Sequence, residues 1–135
     1  MILHLQIEVN GQGLHEFTHQ IRWQVQHSSM PEGLCTLYIR HTSASLVIQE
    51  NADQSARRDL EAWLNRLIPE NDPFYTHTIE GTDDMPAHLK AAITATSLSI
   101  PFSNGQLLLG VWQGIYLWEH RHYRGTREVV IHLGE

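Results

Sequence analysis

The chain has 135 residues, of which 41% are hydrophobic and 18% charged, and its formal net charge is −6. This length and composition are typical of one globular domain with a real hydrophobic core, and they exclude a disordered chain. Nucleic acid is disfavoured as a partner, because a phosphate backbone needs a clustered basic surface and the sequence has no run of Lys or Arg.

No apolar run approaches the roughly 18 residues that a membrane-spanning helix requires. The opening residues, MILHLQIEVN, also lack the basic region and cleavage site of a secretory signal. We therefore expect a cytoplasmic protein without a membrane partner. The single Cys35 lies in an apolar strand pattern, which predicts a buried thiol rather than a nucleophile. Ten histidines, more than Lys and Arg together, raise the expectation of a metal or acid–base site.

We find no repeat and no linker, so residues 1–135 are expected to form a single domain. Hydrophobic periodicity predicts, in chain order, a strand that opens the chain, a short helix, two strands, two longer helices and four strands. Their expected bounds are 3–9, 18–28, 33–41, 43–50, 53–68, 85–96, 97–102, 106–113, 114–121 and 127–134. Asn104-Gly105 between two apolar runs predicts a hairpin, since a type I′ turn requires positive φ at both positions. The pattern indicates an α+β fold with helices packed over antiparallel sheet.

The two longer helices each have an apolar stripe that we expect to face the core. The stripe of the first consists of Leu60, Trp63, Leu64, Leu67 and Ile68. The stripe of the second consists of Leu89, Ala92, Ile93 and Thr96.

The segment EGTDDMPAHLKAA, residues 80–92, contains the start of the second long helix. Asp83 or Asp84 can cap free backbone N–H groups there, and Pro86 suits the first turn. His88 is not explained by capping. The positive end of the helix dipole disfavours imidazolium, and a neutral imidazole is the form that binds a metal or accepts a proton. A plain surface histidine is the alternative.

Two further segments place polar groups where a strand ends or a helix begins. In RHTSAS, His41 ends a strand and is followed by hydroxyls that either bind phosphate oxygens or stabilise a turn: Thr42, Ser43 and Ser45. In QENADQ, the polar groups exceed what capping of the following helix requires: Glu50, Asn51 and Asp53.

The segment YLWEHRHYR alternates like a strand, which predicts that Glu119 and Arg121 share one face while His120 and His122 lie on the other. Glu119 and Arg121 are either a solvated ion pair of little energetic value or functional groups beside a phosphate and a metal. His77 is another isolated polar residue in a loop.

Together the strings HTSASL, ENAD, LIPEND, YTH, EGTDDMPAH, LLLGVWQGIYLWEHR and HLGE resemble the YjbQ-like family, called secondary thiamine-phosphate synthases. The resemblance extends from about residue 2 to Glu135. It implies an α+β subunit built around an antiparallel β-sandwich with about three helices, and assembly as a homotrimer. It also implies a divalent metal, zinc in the first place, with magnesium as an option in turnover.

Carried over to this sequence, the resemblance implies three groups of site residues. The metal ligands would be His41, His77 and His88, leaving one position open as in catalytic zinc sites. Asp53, Asp84 and Glu119 would orient ligands or act as general bases. The substrate contacts would be Ser43, Asn51, Gln113 and Arg121, with Arg121 holding phosphate through two hydrogen bonds.

Two functions follow from these expectations. The first is a metal-dependent transferase or hydrolase for a small phosphorylated substrate, with weak thiamine-phosphate synthase activity that joins a pyrimidine diphosphate to a thiazole phosphate. The second is a non-catalytic trimeric protein that binds a metal or metabolite, which the absence of a familiar catalytic motif favours.

Overall fold

The computed structural model describes all 135 residues, as three helices and eight strands. The elements are β1 Ile2–Asn10, β2 Gly13–Glu16, α1 Thr18–Gln26, β3 Glu32–Ile39, β4 Ala44–Glu50, α2 Gln54–Leu67, α3 Asp84–Ile93, β5 Ser97–Ser103, β6 Gln106–Leu107, β7 Gln113–Glu119 and β8 Arg124–Gly134. The predicted α+β class and the antiparallel sheet are confirmed.

The strands form two antiparallel sheets, one with the order β1-β8-β3-β5-β6 and the other with the order β2-β7-β4. A cluster of 18 buried residues fills the space between them, with contributions from both sheets and from α1. Ile115 and Leu117 of β7 point into this cluster. Tyr116 and Trp118 point to the other face of the small sheet, where Leu64 of α2 covers them. The chain is therefore a β-sandwich with α2 packed outside the smaller sheet.

The α2 stripe is only partly buried. Leu64 is inaccessible, but the side chains of Trp63 and Leu67 remain 49% and 53% exposed. The prediction that both face the core of this chain is wrong, because the small sheet is too narrow to cover the whole stripe.

The predicted orientation of the next helix, α3, is also wrong. Ala87, Lys90 and Ala91 are its buried residues, together with Asp84 and Pro86, whereas Ile93 is exposed. Small alanine side chains allow the helix backbone to approach the sheet closely, and the bulkier apolar residues then lie on the outer side. A lysine thus replaces the expected isoleucine on the inner face.

The Asn104-Gly105 hairpin is confirmed, with φ values of 54° and 75° and Ser103 paired with Gln106. The strand after it is shorter than predicted, since β6 ends at Leu107. Cys35 is fully buried as predicted, and burial raises the pKa of its thiol to about 12. No helix of the structure is both long and apolar enough to cross a bilayer.

Strand β7 ends at Glu119, so the prediction that Glu119 and Arg121 share a strand face is wrong. The Glu119 carboxylate is fully buried and forms two hydrogen bonds with Arg127 of β8, 2.6 Å from Nε to Oε1 and 2.7 Å from Nη2 to Oε2. The backbone N–H of Arg121 donates to the same carboxylate at 3.0 Å. The pair is an internal ion pair that fixes the end of β7 to β8.

His120, the next residue, is also buried, and its Nε2 lies 2.9 Å from Ser45 Oγ of β4. Burial, with the nearby charges of Lys90 and Arg127, lowers the pKa of His120 to about 3. The ring is therefore neutral at pH 7.

We expect Arg127→Met to lower the free energy of unfolding by about 3–5 kcal/mol, because it leaves the Glu119 charge buried without a partner. The double variant Glu119→Gln/Arg127→Met should recover most of this loss. Urea denaturation at pH 7 measures both, with Arg124→Met, at an exposed position of β8, as the control. A loss no larger than that of the control would contradict the assignment.

The buried His120 makes stability depend on pH in a defined direction. The unfolded chain binds a proton at His120 below about pH 6.5, whereas the folded chain binds one only near pH 3. The contribution of the neutral ring to the free energy of unfolding is therefore complete above pH 6.5 and is lost as the pH falls toward 3. Lowering the pH from 7 to 5 should reduce the free energy of unfolding of the unmodified protein by about 2 kcal/mol more than that of His120→Gln. Denaturation at the two pH values tests this, and His132→Gln, an exposed position, should behave like the unmodified protein.

Candidate metal centre

Three potential metal ligands meet where the loop after α2 enters α3. His77 lies in that loop, Asp84 is the first residue of α3, and His88 follows one turn later. Asp84 Oδ2 is 2.8 Å from His77 Nε2 and 3.1 Å from His88 Nε2, and the three ligand atoms lie within 4.8 Å of one another. Asp84 is 2% exposed, whereas both histidines are open to solvent on one side. The cluster is thus a buried carboxylate that faces two accessible imidazoles.

The protonation of His88 is constrained by a second contact. Its Nδ1 lies 3.0 Å from the carbonyl oxygen of Thr42, which can only accept, so Nδ1 carries the proton. In a neutral ring the Nε2 lone pair then points at a carboxylate oxygen. Two electron pairs in contact repel, and the arrangement is stable only with a proton or a cation between them. This is the arrangement of metal-ligating histidines, whose other nitrogen donates to a carbonyl or carboxylate.

The second oxygen of Asp84 faces Arg121, whose Nη1 is 3.3 Å from Oδ1. Burial raises the pKa of Asp84, but hydrogen bonding to His77 and the charges of His88 and Arg121 together hold it below its usual value. The carboxylate is therefore ionised, which is the form that ligates a metal.

Arg121 also fixes the loop that carries His77. Its Nη2 donates to Asp83 Oδ1 at 3.1 Å and to the carbonyl oxygen of Glu80 at 2.8 Å. Asp83 accepts a further hydrogen bond from the N–H of His122. The capping function expected for Asp83 or Asp84 is absent, since Asp83 at the N-cap makes no side-chain cap hydrogen bond. The Arg121 guanidinium, expected to hold phosphate, is thus paired with the carboxylates of Asp83 and Asp84.

His41 lies outside the cluster. Its Nε2 accepts the N–H of Glu128 at 2.9 Å, and its Nδ1 is 3.3 Å from Nη1 of Arg127. Burial and the charge of Arg127 lower the pKa of His41. The ring is therefore directed at β8, and only the neighbouring Thr42 carbonyl connects this segment with His88. Ser43 also points to β8, because its Oγ accepts a hydrogen bond from Arg127 Nη2 at 3.1 Å.

The other candidate residues lie at the opposite end of the small sheet. Strands β4 and β7 pair from Ala44 with Glu119 at one end to Glu50 with Gln113 at the other. These two ends are about 20 Å apart. Asn51 and Gln113 occupy the far end, where Gln113 Oε1 accepts the N–H of Gly110 at 2.8 Å. Within one chain, the structure does not bring them to the metal cluster.

Asp53, also at that end, has a local structural function. Its Oδ1 accepts from the backbone N–H and the hydroxyl of Ser55, both at 2.8 Å, so it caps α2. These hydrogen bonds, the backbone one first, lower the pKa of its carboxyl group.

The donor set of the cluster fits a divalent metal. Two imidazoles and a carboxylate are ligands that zinc accepts, and three protein ligands with a free position are typical of catalytic zinc sites. Tetrahedral bonds of about 2.0–2.1 Å place ligand atoms roughly 3.3 Å apart, close to the observed spacings from Asp84 Oδ2.

Sequence reasoning assigns Asp84 as a group that orients an imidazole or acts as a base, and the structure places its Oδ2 against both His77 and His88. The i, i+4 spacing of Asp84 and His88 is a usable signal, because such residues lie on one face of a helix. Arg127 is missed by sequence reasoning, although strand alternation places it on the same face of β8 as the buried Val129, Ile131 and Leu133.

Comparison with known proteins shows the family. The family model described as UPF0047 protein YjbQ-like matches residues 4–135. A UPF0047 protein of Synechocystis, sll1880, is 51% identical over 129 residues, which are 96% of this chain and 88% of that protein. YjbQ of Escherichia coli O157:H7 is 40% identical over 132 residues, with coverage of 96% and 94%.

Solved structures agree with this result. The crystal structure of the conserved hypothetical protein TT1486 of Thermus thermophilus matches with a TM-score of 0.88 at 30% identity, covering 98% of this chain and 99% of that one. A YjbQ/UPF0047 protein of Clostridium acetobutylicum matches with a TM-score of 0.85 at 30% identity and 99% coverage of both chains. This chain, with its sandwich and its carboxylate between two histidines, belongs to the YjbQ-like UPF0047 family.

Proposed function

We propose that this protein is a metal-dependent enzyme that acts on a small phosphorylated substrate, with His77, Asp84 and His88 as the metal ligands. One observation carries the proposal. His88 has its Nδ1 proton committed to the Thr42 carbonyl, and its Nε2 nevertheless faces an ionised carboxylate oxygen at 3.1 Å. With His88 neutral, a divalent cation between the two atoms relieves this repulsion and leaves a coordination position toward solvent, whereas a proton on Nε2 makes the contact an ordinary ion pair.

The chain's own residues prepare the site for this ion. The Thr42 carbonyl fixes the orientation and tautomer of His88, and Arg121 holds Asp84 ionised and the His77 loop in place. A divalent metal bound here would supply Lewis-acid stabilisation of negative charge on a phosphate oxygen. Zinc is the ion that the donor set favours, and magnesium remains an option for turnover.

An open cleft of about 620 Å³ begins at Thr42 and offers a place for the phosphate group. Its polar lining comprises Arg40, His41, Thr42, Ser43, Thr96 and Arg127. Guanidinium and hydroxyl groups are the side chains that bind phosphate oxygens. We place the phosphorylated part of the substrate in this cleft because Thr42, whose carbonyl oxygen contacts His88, is part of its lining.

Within this class, the more specific proposal is thiamine-phosphate synthase activity, in which a pyrimidine diphosphate is joined to a thiazole phosphate with release of pyrophosphate. The support is the resemblance of the motifs, together with a cationic cleft beside a candidate metal centre.

The proposal includes assembly as a homotrimer. Several large apolar side chains are exposed in the single chain, among them Trp63, Leu67, Val111 and Trp112. A surface of this kind is typical of a protein–protein interface. Contacts between copies would also give the distant Asn51 and Gln113 a route to the cluster of a neighbouring subunit.

A non-catalytic metal- or metabolite-binding protein is the second candidate, and a specific observation favours it. The carboxylates expected to act as bases are all engaged: Asp53 caps α2, Glu119 is paired with Arg127, and Asp84 lies between the two histidines.

Metal binding tests the proposed ligands directly. The unmodified protein should retain about one zinc ion per chain after dialysis, while His88→Ala and Asp84→Asn should each retain less than about a tenth of that, since each loses one of three ligands. Elemental analysis by mass spectrometry gives the ratio. His19→Ala, an exposed position of α1, is the matched control. Equal zinc in all four proteins would remove the basis of the proposal.

Turnover distinguishes the enzyme from the binding protein. Incubation of the zinc- or magnesium-loaded protein with the pyrimidine diphosphate and the thiazole phosphate should yield thiamine phosphate and pyrophosphate, and His88→Ala should yield neither. Chromatographic detection of thiamine phosphate is the measurement. Product from the metal-free His88→Ala protein would contradict metal-dependent catalysis, and metal binding without product would favour the second candidate.

A further inference from the structure

Lys90 is the only lysine of the chain, and it is 2% exposed. It lies on α3 two residues after His88, so the two side chains leave the helix in nearly opposite directions. His88 points to Asp84 and the Thr42 carbonyl, whereas Lys90 points to Asn65 of α2. The lysine therefore belongs to a different part of the molecule from the candidate metal centre.

The Lys90 ammonium group has an incomplete set of partners. Its Nζ donates one hydrogen bond, to Asn65 Oδ1 at 2.6 Å, and no carboxylate lies within ion-pair distance. An ammonium group has three donors, and a buried charge without a counter-ion is costly. Arg127, the other buried cation, is by contrast fully paired with Glu119.

A partly enclosed cavity of about 150 Å³ adjoins this ammonium group. It is lined by Gln12, Gly13, Glu61, Asn65, Lys90, Trp118 and His120, and we call it the Lys90 cavity. A cavity of about this volume accommodates a molecule of about six non-hydrogen atoms, the size of benzene.

The Lys90 cavity also contains a carboxylate. Glu61 Oε2 accepts the backbone N–H of Leu14 at 2.7 Å, which fixes the carboxylate at the cavity wall. A Cβ on Gly13 would collide with this oxygen, so the glycine provides the space that the carboxylate occupies. Glu61 is not in ion-pair contact with Lys90, and the two opposite charges line the same small space separately.

A third polar group faces the cavity without a protein partner. His120 is buried and uses Nε2 for its contact with Ser45, and its Nδ1 makes no hydrogen bond within the protein. The Trp118 side chain supplies an apolar wall. The cavity thus combines an incompletely paired ammonium, a fixed carboxylate and a free imidazole nitrogen.

We propose that the Lys90 cavity binds a small zwitterion, a free α-amino acid of about the size of glycine or alanine. Its carboxylate would accept from Lys90 and its ammonium group would donate to Glu61. A simple anion would be repelled by Glu61 and a simple cation by Lys90, so only a ligand with both charges satisfies both walls. This site is separate from the proposed metal centre, and neither depends on the other.

The single lysine allows a direct test by nuclear magnetic resonance. Protein labelled with ¹⁵N at the lysine Nζ gives one signal from Lys90, which is titrated with glycine, acetate or methylammonium at constant pH and ionic strength. Glycine should shift the signal to saturation, with a dissociation constant at least about tenfold lower than those of acetate and methylammonium, because each probe lacks one charged hydrogen bond.

Variants identify the two walls by calorimetric titration with glycine. Glu61→Gln and Lys90→Met should each weaken glycine binding by at least about tenfold, and Glu61→Gln should bind acetate more tightly than the unmodified protein does. Arg66→Met, which removes an exposed charge from the same helix as Glu61, should stay within about twofold of the unmodified protein.

Three outcomes would overturn the proposal. The first is no shift of the lysine signal with any probe, which would mean that water alone fills the cavity. The second is acetate binding as tightly as glycine, which would identify a plain anion site. The third is unchanged glycine affinity in Glu61→Gln. If Lys90→Met does not fold, the signal of the unmodified protein and the Glu61→Gln titration still decide.

Discussion

The carboxylate of Asp84 is the point on which the candidate centre depends. It is buried at the start of α3, and its two oxygens face different groups: one the imidazoles of His77 and His88, the other the guanidinium of Arg121. Arg121 in turn holds Asp83 and the loop before α3. The ionised Asp84 therefore aligns α3, the loop before it and the bend after β7. The contacts that position the candidate ligands are also contacts that hold these parts of the fold together.

The two ends of the small sheet have different chemical characters. One end has the candidate metal centre, the buried Glu119–Arg127 pair and the cleft beside Thr42, and the other has the cap of α2 with Asn51 and Gln113. Because β4 and β7 pair along their whole length, they hold these two ends apart within one chain. Polar residues that the sequence suggests as one constellation thus form two separate groups within a single chain.

Elements with strong local signals were predictable. The α+β class, the Asn104-Gly105 hairpin and a polar cap for α2 at Asn51 or Asp53 follow from periodicity and turn chemistry. The inner face of α3 is not predictable from the sequence pattern, because Ile93 is more apolar than Lys90. Only the tertiary contact with α2 decides which of the two is buried. His77 and His88 were expected to meet, but the direction of the His41 ring depends on Glu128 and Arg127, which lie more than 80 residues away.

The burial of the only lysine has a consequence for the outer surface. Every exposed positively charged side chain is an arginine, whose guanidinium does not undergo the acetylation that neutralises lysine. Amine-directed acylation of the folded protein would therefore find no exposed lysine side chain, and the arginine charges of its exterior would stay constant under conditions that neutralise lysine-rich proteins.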